Sequence, residues 1–526
     1  MTALLLFLVS VAIALIGAGI GRHYSYWRRR SVSGPRPGWL LCGSLSDFVR
    51  GRQSYGDIYV QLYKSWRTWR YVGIYRLFNE PAILVRDQEM LRELLIGHFS
   101  HCADNAVCVD AKRDAIVSHN PFIASGEHWR KMRSELMPLF TPRRLRQTLP
   151  HIGAACAQLR DYVEQYLPGE RFEAKDLATR YTLQVVASVV FGLDAKCFEP
   201  RQNGEMEGEW FSLLGPLFQP NPLSLLETIA LLHSPTIGRI LGYRYMPLNL
   251  QHWLSRIVKQ LLQSCIGRQI DGNASFIQSL VDARQRANLP VDVKTIIGHC
   301  STLLLEGYET SASLLAFALY ELARHEPAQQ RLQADIDALS AKNDGQLHRP
   351  EALTSLAYAE ATLYETLRLH PAMSTLQKRC TKPFVLPSQN PEGRSFFQEV
   401  AGPEAEYTEA NRDTQEVHIP VGMVFVIPVQ AIHHDPMIYP EPQLFQPERF
   451  LSQAPLGCRF LGFGEGPRMC PGMRFGLAQT QAALVTLLQD YSVRLAEGES
   501  SSPVEHSPVT FLTASKEGIW LRLEPR

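Results

Sequence analysis

The chain has 526 residues, of which 45% are hydrophobic and 20% charged, with 53 lysines and arginines against 52 aspartates and glutamates. Such a length and apolar content bury a large core and exclude a disordered, collagen-like or disulfide-scaffold chain, while the even charge balance gives no footprint for nucleic acid as a partner. Ten cysteines, scattered without Cys-x-x-Cys pairs or zinc-type spacing, read as mostly reduced core thiols and suggest a body facing the cytosol.

The first 21 residues, MTALLLFLVSVAIALIGAGIG, carry no charged side chain. As a helix, positions 3–20 would span roughly 27 Å at about 1.5 Å per residue, close to a bilayer core. Arg22, Arg28, Arg29 and Arg30 follow, so the positive-inside rule puts everything downstream on the cytosolic side. A cleaved secretory signal is the lesser alternative, because a basic n-region is missing and the apolar run is long. Residues 22–38, ending in GPRPG, read as a basic, proline-containing hinge.

From about 85 to 380 helical patterns dominate, and short extended runs at 81–87 and 422–430 predict small sheets. The architecture expected is mostly α with minor β. GEHWRKMR, with Trp129 and Arg133, taken alone is an amphipathic helix with a basic face. The longest predicted helix, Asp292 to Glu326, is apolar almost all round, as a central buried helix must be, with Pro327 as its stop. Within it EGYETS places Thr310 four residues after Glu306, so the Thr310 hydroxyl can turn back to the carbonyl of 306 or toward water. YETLRLHP sets Glu365 and Arg368 on one helix face. Residues 386–415, polar and Gly/Pro-containing, read as a solvent-exposed loop.

Near the C-terminus, FLGFGEGPRMCPGMRFGLAQ holds one cysteine among glycines and prolines just before a helical pattern. A thiol there faces the unpaired N–H groups of a helix N-terminus, which lower its pKa and suit either a nucleophile or a metal ligand. Local chemistry leaves those alternatives open.

Five of these positions, Phe463, Gly466, Arg468, Cys470 and Gly472, form the pattern F-x-x-G-x-R-x-C-x-G, which resembles the haem-ligand loop of the cytochrome P450 family of haem-thiolate monooxygenases. The other landmarks stand in the family's order, and the resemblance runs over most of the chain. It implies the cytochrome P450 fold, a large helical domain plus a small β-rich part, behind a single N-terminal transmembrane helix. The division is 1–21 anchor, 22–38 hinge and 39–526 haem-thiolate domain, with 386–415 as an inserted exposed loop. It implies haem b with Cys470 as axial iron ligand. Trp129, Arg133, Arg379 and Arg468 become partners of the haem propionates, and Arg449 of FQPERF joins Glu365 and Arg368 in a buried clamp. Gly307 would leave room for dioxygen, while Glu309 and Thr310 would supply protons for its cleavage.

Glu306 departs from the usual pattern, in which alanine or glycine stands at that point. Fatty-acid hydroxylases of the family carry glutamate here and can esterify it to a haem methyl; the alternative is a carboxylate shaping the substrate pocket. The chain looks most like microsomal insect members that hydroxylate or epoxidise xenobiotics, insecticides, hormones or lipids. The resemblance implies O2 as co-substrate, NADPH-cytochrome P450 reductase as electron donor, with cytochrome b5 as a further donor it allows, and the endoplasmic reticulum membrane as location. Arg130, Lys131, Arg143, Arg144 and Arg146 are candidates for a reductase-facing patch. Haem-thiolate isomerases and a catalytically silent haem or hydrophobic-ligand binder are the competing readings; retention of Gly307, Glu309 and Thr310 argues against the isomerases.

Overall fold

The computed structural model describes the chain except for most of residues 1–23, residues 39–41, 200–207, 266–274 and 343–349, most of 388–415, residues 453–456 and a few isolated positions. Two compact units result: one from Met1–Val107, Thr375–Ile432 and Glu465–Arg468, the other from Cys108–Ser374, His433–Gly464 and Met469–Arg526.

The first unit carries most of the β-structure. Strands Tyr71–Tyr75 and Pro81–Val85 pair antiparallel, and the second pairs in parallel with Val424–Ile427, which in turn meets Leu376–Arg379 and, beyond it, Asp104–Asn105. Both apolar strands of the hairpin are buried nearly throughout, the pattern of a sheet covered on both faces. The extended run predicted at 422–430 is shorter than expected, because Val429–His433 turns helical. Part of the predicted hinge is docked onto this sheet. Tyr26–Arg29 is a helical turn whose Trp27 is buried and donates its indole N–H to the Ile74 carbonyl at 2.8 Å. Gly73 makes that possible, since a Cβ there would sit 2.7 Å from the Trp27 ring. The predicted loop 386–415 likewise begins as structure: Phe384–Leu386 is a buried strand paired with Val417–Ile419, and buried Gln389 donates to the carbonyls of Ser33 and Tyr71. Most of that loop lies outside the described residues. So does almost all of the predicted span over 1–21; among the described residues no helix is long and apolar enough to cross a membrane.

The second unit is mainly helical. Its axis is the helix Val293–Arg324, capped by Asp292, whose side chain accepts from the Lys294 N–H. It packs against Ala174–Val186 and Met473–Asp490, and a small sheet of Tyr491–Leu495, Trp520–Pro525 and Arg171–Glu173 lies in the same unit. The long helix ends two residues earlier than expected. Pro327 sits in the first turn of the next helix, Glu326–Lys342, where a missing N–H costs nothing, and His325 leaves helical geometry between the two.

Near its C-terminus Glu321 is buried with His370, His325 and Arg324 around it; His370 Nε2 lies 2.7 Å and His325 Nδ1 3.2 Å from the carboxylate. Burial alone would raise this carboxyl, but the hydrogen bonds from both histidines and the charges of His370 and Arg324 together outweigh it and hold it at about 2. A folded-state value below the usual 4.5 contributes stability that is present above pH 4.5 and is lost as pH falls through 2. We therefore expect Glu321→Gln to lower the thermal midpoint at pH 7, and the gap from wild type to narrow progressively as pH is taken below 4.5 toward 2.

Candidate active site

Between Thr295 and Leu322 every residue of the long helix is buried except Glu306, Gly307 and Thr310. At 3.6 residues per turn these three share one face, so a window opens on the helix at that height. Cys470 is the exposed one among the described cysteines, yet burial pushes its thiol up to about 11, so the space it borders is enclosed by protein. The Glu306 charge pushes the same way, while the Gly472 N–H and the Arg133 charge oppose it. Glu306 and Arg133 thus each stand within electrostatic reach of Cys470. The expectation that backbone donors would bring this thiol below its ordinary value is corrected: one such donor is present, and burial outweighs it.

The loop carrying the thiol is built from short local bonds. The Cys470 N–H donates to the Phe463 carbonyl at 2.8 Å, and Gly464 N–H to Leu461 at 3.0 Å, with Gly464 in the left-handed region that a side chain would resist. Gly472 caps the helix Met473–Asp490, leaving Pro471 just outside the first turn. Leu461 N–H donates to His433 Nε2 at 2.8 Å; burial lowers His433 to about 3, which keeps it the neutral acceptor this bond requires.

His433 belongs to the clamp as well. Arg368 forks onto Glu365, Nε to Oε2 at 2.8 Å and Nη2 to Oε1 at 2.7 Å, with both side chains fully buried. Its other N–H groups reach the carbonyls of His433, Pro442 and Leu444, so the guanidinium is completely hydrogen-bonded. Arg449, expected as an equal third member, is looser. Its Nε comes to 3.4 Å from Glu365 without a hydrogen bond, and Nη2 donates to the Glu441 carbonyl.

The remaining residues divide between the two units. Trp129 and Arg133 lie on the helix Gly126–Leu136 of the second unit, Trp129 buried. The Arg133 guanidinium is lowered by burial and has no hydrogen bond or ion pair among the described residues. Phe463 is half-buried against the core. Arg379 and Arg468 belong to the first unit, where Asp104 pairs in register with Arg379 and accepts from Arg468 Nη2 at 3.0 Å, and the Ala103 carbonyl takes Arg468 Nε at 2.8 Å. Arg468 is therefore already committed to a carboxylate of its own unit.

Contacts with neighbouring side chains and backbone fix three positions of this stretch. The Thr310 hydroxyl donates to the Glu306 carbonyl at 3.0 Å, the inward one of its two options. Glu309 is buried, outside the window, and its Oε1 accepts from Lys175 Nζ at 2.6 Å, the same amine also reaching Ser313. A Cβ on Gly307 would press Val186 at 3.2 Å, so this glycine also lets two helices approach. Lys175 and Asn120, which donates to Glu306 Oε1 at 2.9 Å, carried no signal in the sequence.

A family model described as Cytochrome P450 matches residues 33–390 and 407–522. The chain belongs to the cytochrome P450 family. Over its full length it is 52% identical to a Drosophila melanogaster protein described as "Probable cytochrome P450 308a1", covering 99% of that relative. It is 30% identical to "Probable cytochrome P450 28a5" of the same organism, with both chains fully covered, and 29% identical to "Probable cytochrome P450 6g2", with 99% of each covered. This P450 is accordingly a monooxygenase that binds haem b through a cysteine thiolate. The second unit fits that group: an unpaired, half-buried guanidinium suits a propionate, and a thiol bordering enclosed space suits the iron.

Proposed function

We propose that this P450 hydroxylates or epoxidises apolar small molecules, among them xenobiotics, insecticides, hormones or lipids, with O2 and electrons passed from NADPH by a flavoprotein reductase. It would be anchored by residues 1–21 in the endoplasmic reticulum membrane with the haem domain in the cytosol. The observation that supports the reading is that Glu306, which shares the one uncovered helix face with Gly307 and Thr310, lies within electrostatic reach of Cys470. Haem held by the Cys470 thiolate supplies the activation of dioxygen. Arg133 with Trp129 would take a propionate.

Thr310 Oγ1 would release the Glu306 carbonyl and present its proton to the window. Glu309 would resupply it from the Lys175 side, since Lys175 touches both its carboxylate and its backbone carbonyl. Thr310→Ala is expected to cut oxygenated product by at least about ten-fold while NADPH and O2 are still consumed. Equal product per NADPH in Thr310→Ala and wild type refutes the role. The exposed cations Arg130, Lys131, Arg143 and Arg146 are the proposed reductase-facing surface.

The defining test is reconstitution of the full chain with a P450 reductase and NADPH in lipid. Oxygen consumption coupled to an oxygenated product supports the reading, and rearrangement of an added peroxide without NADPH points instead to an isomerase. The ester between Glu306 and a haem methyl is the other fate of that carboxyl. Complete release of haem by acid-acetone excludes it.

A further inference from the structure

Glu306 is set up as an acid that lacks a cation. It is one of the three uncovered positions on an otherwise buried stretch of helix, so its carboxyl reaches the enclosed space. Asn120 holds it: Nδ2 donates to Oε1 at 2.9 Å, while Asn120 Oδ1 accepts from the Phe122 N–H at 2.8 Å, which fixes the amide with its donor side toward the acid. Asn120 itself is 1% exposed and cannot swing away. The titratable groups within electrostatic reach are the Tyr245 hydroxyl and the Cys470 thiol, neither of them a cation, and no basic side chain pairs with Glu306 among the described residues.

Burial raises the Glu306 carboxyl, opposed by the single Asn120 bond. A carboxylate drawn out of water against one neutral donor is undercompensated, and what it lacks is positive charge. Beside Asn120, the half-buried ring of Phe122 packs against Phe511 at 6.4 Å, an aromatic surface of the kind on which alkylammonium groups settle.

We propose that Glu306, positioned by Asn120, is a recognition site for the cationic nitrogen of an otherwise apolar substrate, so that tertiary and quaternary amines are this enzyme's preferred class. This rests on the enclosed space being the substrate chamber and on a free Glu306 carboxyl.

Phenyltrimethylammonium and its neutral isostere tert-butylbenzene separate charge from shape, and neither can ligate iron through a lone pair. Their binding to the haem-loaded full chain is measured by equilibrium dialysis and by the spin-state change of the haem spectrum. In wild type the cation is expected to bind at least ten-fold tighter than the isostere. Glu306→Gln should remove that advantage with tert-butylbenzene as the internal control, and Asn120→Ala should reduce it. Equal affinities in wild type, or a preference that survives Glu306→Gln, overturn the proposal. If tert-butylbenzene binds and the cation does not, the chamber stands and only the charge argument falls. If neither binds, the chamber reading itself fails. Haem retained through acid-acetone in wild type but released from Glu306→Gln would show the carboxyl consumed in an ester, and the proposal falls there too.

Discussion

Arg368→Leu is expected to yield almost no haem-loaded protein. The substitution takes the bidentate partner from the fully buried Glu365 carboxylate, leaving it the Gln446 N–H and Arg449 at 3.4 Å, and strands three backbone carbonyls at His433, Pro442 and Leu444 that the guanidinium now satisfies. Breaking a buried ion pair on one side costs about 3–5 kcal/mol, and each orphaned buried carbonyl adds about 1–3 kcal/mol. Against a total stability of about 5–15 kcal/mol that loss is not survivable in most cases. It also reaches the ligand loop, because the His433 carbonyl accepts from Arg368 while the His433 ring accepts from Leu461, at the start of the turn whose Phe463 carbonyl holds the Cys470 N–H. Arg368→Lys keeps the charge but not the fork, and should fail nearly as badly. Arg449→Ala, which gives up one ion pair at 3.4 Å and one bond to the Glu441 carbonyl, should retain most holoprotein. Haem absorbance per mole of purified protein and the thermal midpoint report the order. Wild-type holoprotein from Arg368→Lys would show that the fork is dispensable.

What the sequence made legible here was whatever lies within a turn or two of chain. The Glu365 and Arg368 pair follows from spacing on one helix, and the buried character of the long helix from its unbroken apolar run. Cys470 stands out as a thiol between glycines and prolines just before a helix. What stayed hidden depends on contacts between distant segments. Lys175 meets Glu309 across 134 residues, and Asn120 meets Glu306 across 186. Arg468 finds Asp104 across 364 residues, and that contact turns an arginine expected to be free for a propionate into one already paired. The expectation of a lowered thiol failed for the same reason. Backbone donors at a helix start are local, whereas burial is set by the whole fold, and at Cys470 burial is the larger effect. Trp27, set in a basic stretch read as a hinge, packs on a strand whose Gly73 offered no hint of a partner.

Cys470→Ser should leave a folded chain that has lost the spectroscopic signature and the catalysis of a P450. The sulfur borders enclosed space and makes few commitments to the protein: it accepts one N–H, from Gly472, and oxygen at the same position can do the same. The fold therefore has little reason to fail. Iron, by contrast, needs the thiolate, and with the free thiol held at about 11 the metal must expel the proton on binding, which a serine hydroxyl, far more weakly acidic, does not yield at neutral pH. The reduced, carbon monoxide-treated variant is expected to lose the strongly red-shifted Soret band that marks thiolate ligation, and NADPH-driven oxygenation should fall to background. Cys300→Ala serves as the comparison, because that thiol is completely buried in the long helix and burial raises it far above its ordinary value; the variant should keep the band even if it melts earlier. A red-shifted band that persists in Cys470→Ser would put the iron on a different sulfur and with it move the whole active site, whereas its loss in both variants would mean that the band follows overall stability rather than the ligand.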